Sequence, residues 1–308
     1  MLGPLAALLI LLAGVAALVA ILAMMLFGPT QRPANATPGR RLATGHHMHL
    51  LRSPAPPSPP SHTIFQWENA AIDRLIAQRG FITVGGRERR EIALTFDDGP
   101  GPYTPRVLDV LQRLQAPATF FEIGTMIHYF HASLRRELQG RHAVIGDHTE
   151  THPMMALLTP SAQSEQIMGQ TKRLALSRAP FPRLYRPPYG SYNRMTFAIL
   201  RRLRMLMVLW TVDTEDYAKP GVATIVHRAL AGARPGAIIL MHDAGGDRSQ
   251  TIAALPQIVH GLRARGYQLV TIPRLVLDSP PGQHQPCAVR GSCRSPRPSP
   301  ERSFSRFR

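Results

Sequence analysis

Seven strand-length apolar runs, near residues 92–96, 118–121, 143–146, 183–185, 205–210, 237–241 and 267–271, alternate with helix-length segments along this chain. Strand-helix alternation commits a chain to a parallel sheet, open or closed on itself, because each parallel return needs a crossover element. Thr159-Pro160 supplies a cap and first-turn pair for a helix running to about Ser177. Ile252, Leu255, Ile258, Val259 and Leu262 recur at helical spacing within 250–265. The chain carries no internal repeat and no second globular region.

Five of the apolar runs lead into polar clusters. Ile92 to Phe96 ends in Asp97-Asp98-Gly99-Pro100, two adjacent carboxylates followed by a chain breaker. Taken alone, Asp-Gly is as easily a solvated turn. Two neighbouring carboxylates repel when both ionise, so a fold that holds them together must neutralise one with a metal or another cation. Gly146-Asp-His-Thr-Glu-Thr-His-Pro places His148 and His152 four apart, a spacing at which two imidazoles can face one ion from a helical turn or a curled loop. Leu184-Tyr185 opens onto Arg186-Pro-Pro-Tyr189-Gly190, and the run to Trp210 leads to Asp213 and Asp216. Ala237 to Met241 ends at His242-Asp243. Any one histidine here is more often structural than catalytic. Five polar clusters, each at the end of an apolar run, are another matter, because in closed parallel barrels functional residues stand at the C-terminal ends of strands.

In order and spacing, Thr-Phe-Asp-Asp-Gly-Pro (95–100), His-Thr-Glu-Thr-His-Pro (148–153), Arg-Pro-Pro-Tyr-Gly (186–190), Asp-Thr-Glu-Asp-Tyr (213–217) and Leu-Met-His-Asp (240–243) resemble the motifs of polysaccharide deacetylases with a NodB-homology domain, carbohydrate esterase family 4. The resemblance spans roughly 90–275. It implies a distorted (β/α) barrel of seven or eight strands and a metal-dependent hydrolase that removes N-acetyl groups from a cell-wall or surface glycan. Position by position, it implies that Asp98, His148 and His152 are metal ligands and Asp97 the general base. It further implies that His242 is the general acid, that Arg186 orients Asp97 and holds it ionised, and that one of Asp213 and Asp216 raises the pKa of His242, with Asp216 the nearer choice. The Tyr189 backbone amide is implied to bind the oxyanion and Leu240 to line the acetyl pocket. The implied metal is zinc, although an Asp-His-His set also accepts cobalt, manganese, nickel or iron. One position departs from the family pattern: the fourth motif usually ends in an aromatic that is often Trp, and here it is Tyr217, an apolar wall with a hydroxyl. Two other readings stay open, a same-fold deacylase acting on an O-acetyl ester or a lipid-linked amino sugar, and a barrel that binds glycan without catalysis.

Outside 91–275 the composition changes. Leu5 to Phe27 is a run of 23 uncharged residues, long enough to span a bilayer. A secretory signal peptide would have a charged start and a shorter apolar stretch, so residues 1–31 read as a membrane anchor. Arg32, Arg40, Arg41 and Arg52 follow the span and by the positive-inside rule would keep that side cytoplasmic. The implied glycan substrate lies outside the cell, and the catalytic region is expected there. Residues 32–62 form a Pro-rich tether, 63–90 a lead-in with a helix over 64–79, and 276–308 a Pro- and Arg-rich tail. Cys287 and Cys293, the sole cysteines, lie in that tail, where they either close a small disulfide loop in an oxidising compartment or stay two unpaired thiols. The formal charge of +17 does not indicate nucleic-acid binding: residues 91–275 hold 21 basic and 14 acidic side chains, leaving +10 in the flanks, with no aromatic-interleaved basic groove.

Overall fold

A computed structural model describes residues 61–140, 143–282 and 285. The apolar run Leu5–Phe27, the cysteines and nearly all of the tether and tail lie outside those residues. Among the described residues no helix is long and apolar enough to cross a membrane.

In chain order the elements are α1 (Ser61–Gln78), β1 (Phe81–Ile82), β2 (Glu91–Asp97), α2 (Thr104–Arg113), β3 (Ala118–Glu122), α3 (Gly124–Tyr129), α4 (His131–Gln139), β4 (Ala143–Asp147), α5 (Pro160–Leu176), β5 (Leu184–Tyr185), α6 (Arg194–Leu203), β6 (Leu206–Val208), β7 (Val212–Asp213), α7 (Val222–Ala231), β8 (Ile238–His242), α8 (Ser249–Ala264), β9 (Gln268–Val270) and α9 (Ile272–Asp278). Every strand pairing is parallel, in the order β1-β6-β5-β4-β3-β2-β8-β7, with β9 paired to the start of β2. The two ends of that order meet in one stretch of chain. Between β6 and β7 the ladder continues, Leu209 N donating to Ile82 O at 2.8 Å and Thr211 N to Ile238 O at 2.9 Å. Residues 206–213 thus take partners from both ends of the sheet and draw it into a barrel.

Side-chain alternation along β2 explains how the site is delivered. Ile92, Leu94 and Phe96 point outward into a core shared with α2, α7 and α8. Ala93 joins a second core with Phe121, Leu184, Val208 and Ile238. Thr95 and Asp97 share its parity, so the second core leads up the barrel to a carboxylate at the strand's end.

The seven expected strands appear within one or two residues of their sequence positions, and Thr159 caps α5 by accepting from Ala162 N at 3.3 Å. Two strands were not anticipated, β1 and the separate β7, each of two residues, and α9 carries the fold past the expected tail boundary at 276. The lead-in helix is longer than expected and belongs to the barrel: Ala71, Ile72, Leu75 and Ile76 of α1 are buried with Leu275 and Val276 of α9. Near the tail, Gln285 Oε1 accepts from Thr83 N at 2.8 Å and Val84 N at 3.1 Å. Because Ile72 is 2 % exposed in this core, Ile72→Ala should cost about 2–5 kcal/mol of stability in chemical denaturation. A change under about 0.5 kcal/mol, the range of a surface substitution, would mean that α1 is not part of the folded unit.

Candidate active site

The strand ends set out the site. Asp97 closes β2 and is the register partner of His242, which closes β8. Asp147 closes β4 and Tyr185 closes β5, so His148 and Arg186 are the first residues past neighbouring strands. Asp98, Thr149, His152 and Tyr189 all have left-handed backbone, with φ of 74°, 72°, 62° and 57°. The His148–His152 segment is therefore a curled loop and not a helical turn. Asp147 Oδ1 accepts from Thr149 N at 2.8 Å and Thr149 Oγ1 from His152 N at 3.0 Å. The amides of Gly124 and Thr125, at the start of α3, bond the Thr149 and Glu150 carbonyls at 2.9 Å each.

Both imidazoles are held by their outer nitrogens. His148 Nδ1 lies 2.7 Å from the Arg186 carbonyl oxygen, which can only accept, so Nδ1 carries the proton and Nε2 keeps its lone pair. His152 Nδ1 lies 3.2 Å from the Tyr189 hydroxyl. The two Nε2 atoms face Asp98 Oδ1 at 3.6 and 3.2 Å, and that oxygen is buried without a hydrogen-bond partner. Two imidazole nitrogens and an orphaned carboxylate oxygen within 4.8 Å of one another form a donor set that fits a divalent metal. Burial acts to raise the pKa of Asp98, but the close approach of His152 and the charges of the surrounding imidazoles outweigh it and bring it down to about 2. Burial lowers the pKa of His148, favouring the neutral ligand form.

Arg186 is fully buried. Its guanidinium donates to Asp97 Oδ1 at 2.7 Å, Thr95 Oγ1 at 2.9 Å, Val208 O at 3.0 Å and Leu209 O at 3.2 Å, and lies 4.1 Å over the Phe121 ring. This fixes one oxygen of Asp97 and leaves the other 3.7 Å from His148 Nε2.

His242 is tied to Asp216 twice, Nδ1 to Oδ1 at 2.7 Å and backbone N to Oδ2 at 2.9 Å, and Thr251 donates to the same Oδ2 at 2.7 Å. Burial alone would lower the pKa of His242. The Asp216 hydrogen bond and charge override it and raise the value to about 9. Of the two carboxylates expected near His242, Asp216 is the one that meets it. Asp213 instead accepts from Glu215 N at 2.8 Å, holding the turn that presents Asp216.

Asp97, Asp98, His148, His152, Tyr189, Asp213, Tyr217, Leu240 and His242 all line one cleft of about 890 Å³, with Arg186 and Asp216 directly behind it. Sequence reasoning missed Trp210 and Arg248, which line the cleft as well. Trp210 is the last residue of an apolar run that elsewhere delivers site residues, which was the available signal. Gly245 is bound by space: it has φ of 73°, and a Cβ there would stand 2.5 Å from Asp98 Oδ2.

The polysaccharide deacetylase family model matches residues 85–208. A chitooligosaccharide deacetylase of Bradyrhizobium sp. is 38 % identical over 218 residues, 66 % of this chain and 98 % of that protein. This chain belongs to the polysaccharide deacetylases, carbohydrate esterase family 4. A peptidoglycan-N-acetylglucosamine deacetylase of Bacillus cereus is 39 % identical over 60 % of this chain and 87 % of its own length. Among solved structures, the Bc1960 peptidoglycan N-acetylglucosamine deacetylase in complex with 4-naphthalen-1-yl-N-oxidanyl-benzamide superposes with a TM-score of 0.63 at 31 % identity, over 65 % of this chain and 94 % of that one. The family model spans the Asp-Asp, His-His and Arg-Pro-Pro-Tyr clusters and stops short of Asp213, Asp216 and His242, which are placed by the fold.

A pKa raised above the usual imidazole value means that the His242–Asp216 pair stabilises the fold fully below the unfolded pKa of about 6.5, and loses that contribution as pH rises through about 9. NMR titration of the imidazole should show a midpoint near 9 in the native chain. In Asp216→Asn the midpoint should fall by about 1 unit or more, since the neutral amide removes the hydrogen bond to a charge and leaves only the more distant Asp98 and Asp97 against burial. An unchanged midpoint would show that Asp216 does not set it. Gly245→Ala should weaken the binding of a divalent metal by the Asp98, His148 and His152 set as read by metal analysis, and full retention would show the loop able to yield.

Proposed function

We propose that this protein is a zinc-dependent N-deacetylase acting on N-acetylated amino sugars of a cell-wall glycan, peptidoglycan or a chitin-like oligomer. The observation that carries the reading is the joint placement, in one cleft, of a three-donor metal set, an arginine-held carboxylate and a carboxylate-backed imidazole. Asp98, His148 and His152 would hold the metal. When bound there, it supplies Lewis acidity to the acyl carbonyl and makes water more acidic.

The remaining work falls to side chains of the protein. Asp97, pinned through Oδ1 by Arg186, takes the proton from the attacking water. His242 stays protonated at neutral pH because its pKa is raised to about 9, and gives a proton to the departing amine through Nε2. An amide nitrogen leaves poorly without that proton, so a strongly basic imidazole suits amides better than esters. Tyr189, in left-handed backbone at the cleft edge, directs its amide toward the developing oxyanion. Leu240 lies beside the acetyl methyl, and Tyr217, packed edge-on against His242 at 5.3 Å between ring centroids, forms a wall for the sugar together with Trp210. The glycan substrate is supported by the chitooligosaccharide and peptidoglycan deacetylases among the relatives. We place this chemistry outside the cytoplasm, on a domain tethered through 32–62 to a span at 5–27.

Acetate release from peptidoglycan and from chitooligosaccharides by the full chain, purified in detergent, tests the reading. Release should be abolished by chelator, restored by zinc, and reduced about 10²–10⁴-fold by Asp97→Asn, the range for losing an acid-base group. Folded, zinc-loaded protein that releases acetate from neither glycan would contradict it. His242→Ala should slow amide turnover by a similar factor and an aryl acetate ester far less. Equal losses on both would remove its assignment as the acid for the leaving amine.

A further inference from the structure

A second group of carboxylates lies behind the loop that carries Asp97 and Asp98. Glu122 ends β3, Glu137 comes from α4 and Asp243 follows β8, and one oxygen of each lies within 4.8 Å of the other two. All three are fully buried. Among the described residues, both oxygens of Glu122, both of Glu137 and Oδ1 of Asp243 have no hydrogen-bond partner, and the Thr104 hydroxyl donates to Asp243 Oδ2. Among the described residues no lysine, arginine or histidine forms an ion pair with them. The group presses on the active-site loop: a Cβ on Gly99 would stand 2.7 Å from Asp243 Oδ2 and 2.8 Å from Glu122 Oε2.

Unpaired carboxylates in a dry interior cost several kcal/mol each, so three that converge must share either protons or a cation. Burial, and then the charges of their neighbours, push Glu122 and Glu137 well above the usual carboxylate range when no ion is present. The donor atoms are all hard oxygens, with no imidazole or thiolate among them, unlike the set at Asp98. Three carboxylates from the protein suit calcium, which takes about six to eight oxygen ligands, better than magnesium, which keeps several waters and is usually held by one or two carboxylates.

We propose that Glu122, Glu137 and Asp243 bind a second, structural divalent cation, calcium, separate from the ion at Asp98, His148 and His152. The cation neutralises the charge beneath Asp97 and Asp98 and braces their loop from inside the barrel.

The test is metal content after unfolding the full chain with chelator in detergent and refolding it with zinc alone, calcium alone or both. Wild type refolded with both should hold about one equivalent of each, and calcium alone should raise the thermal midpoint. Asp98→Asn should lose zinc and keep calcium. Glu137→Gln should lose calcium and the calcium-dependent thermal shift while keeping zinc, which also reports that it has folded. If Glu137→Gln fails to fold, wild type and Asp98→Asn decide. Wild type that retains no calcium after refolding, with no thermal shift, would overturn the proposal in favour of shared protons. So would calcium that is lost together with zinc in Asp98→Asn.

Discussion

The buried guanidinium of Arg186 is the contact on which the barrel mouth depends. It donates to a carboxylate on β2, a hydroxyl on the same strand and two carbonyls at and after β6, while the carbonyl of its own backbone receives the His148 proton. One residue thereby fixes the position of Asp97 and the tautomer of His148, and joins staves that are remote in sequence. A fully buried cation is tolerable only with this many acceptors, since breaking such a pair costs about 3–5 kcal/mol. Its environment is not interchangeable with that of a lysine, which cannot reach four acceptors in a plane.

Around this anchor the site separates its charges by environment. Asp98 sits among imidazoles and is held strongly acidic, and Asp216 is held acidic while it makes His242 basic. Opposite directions of shift on neighbouring groups, each with its own partner, let one cleft hold ionised carboxylates and an imidazolium together. His152 and Asp213 act through geometry, the first against Tyr189 and the second by holding the turn at Glu215.

Much of this was legible in the sequence because each functional residue follows an apolar run, and parallel topology brings all such positions to one end of the barrel. The choice between Asp213 and Asp216 was not legible to the same degree. Both lie in one five-residue stretch, and only the left-handed backbone at Glu215 decides which carboxylate turns toward His242. β1 and β7 are two residues each, too short for any periodicity to register, and they pair only because residues 206–213 serve both ends of the sheet. The role of α1 was hidden because its partner, α9, lies some 200 residues away, and amphipathic spacing does not say what covers a face. The convergence of Glu122 and Glu137 on Asp243 was invisible for a related reason, since acids far apart in a sequence look solvated until three elements bury them together.

The central claim is that Asp98, His148 and His152 bind the metal at the barrel mouth, beside a carboxylate locked by Arg186. An anomalous difference map at the zinc edge, from crystals of the zinc-loaded protein, tests it most directly. The account predicts a strong peak within bonding distance of Asp98 Oδ1 and both Nε2 atoms, with Asp97 Oδ1 still on the Arg186 guanidinium. A map with no peak there, or with zinc drawn to other residues while this cleft stays intact, would contradict it.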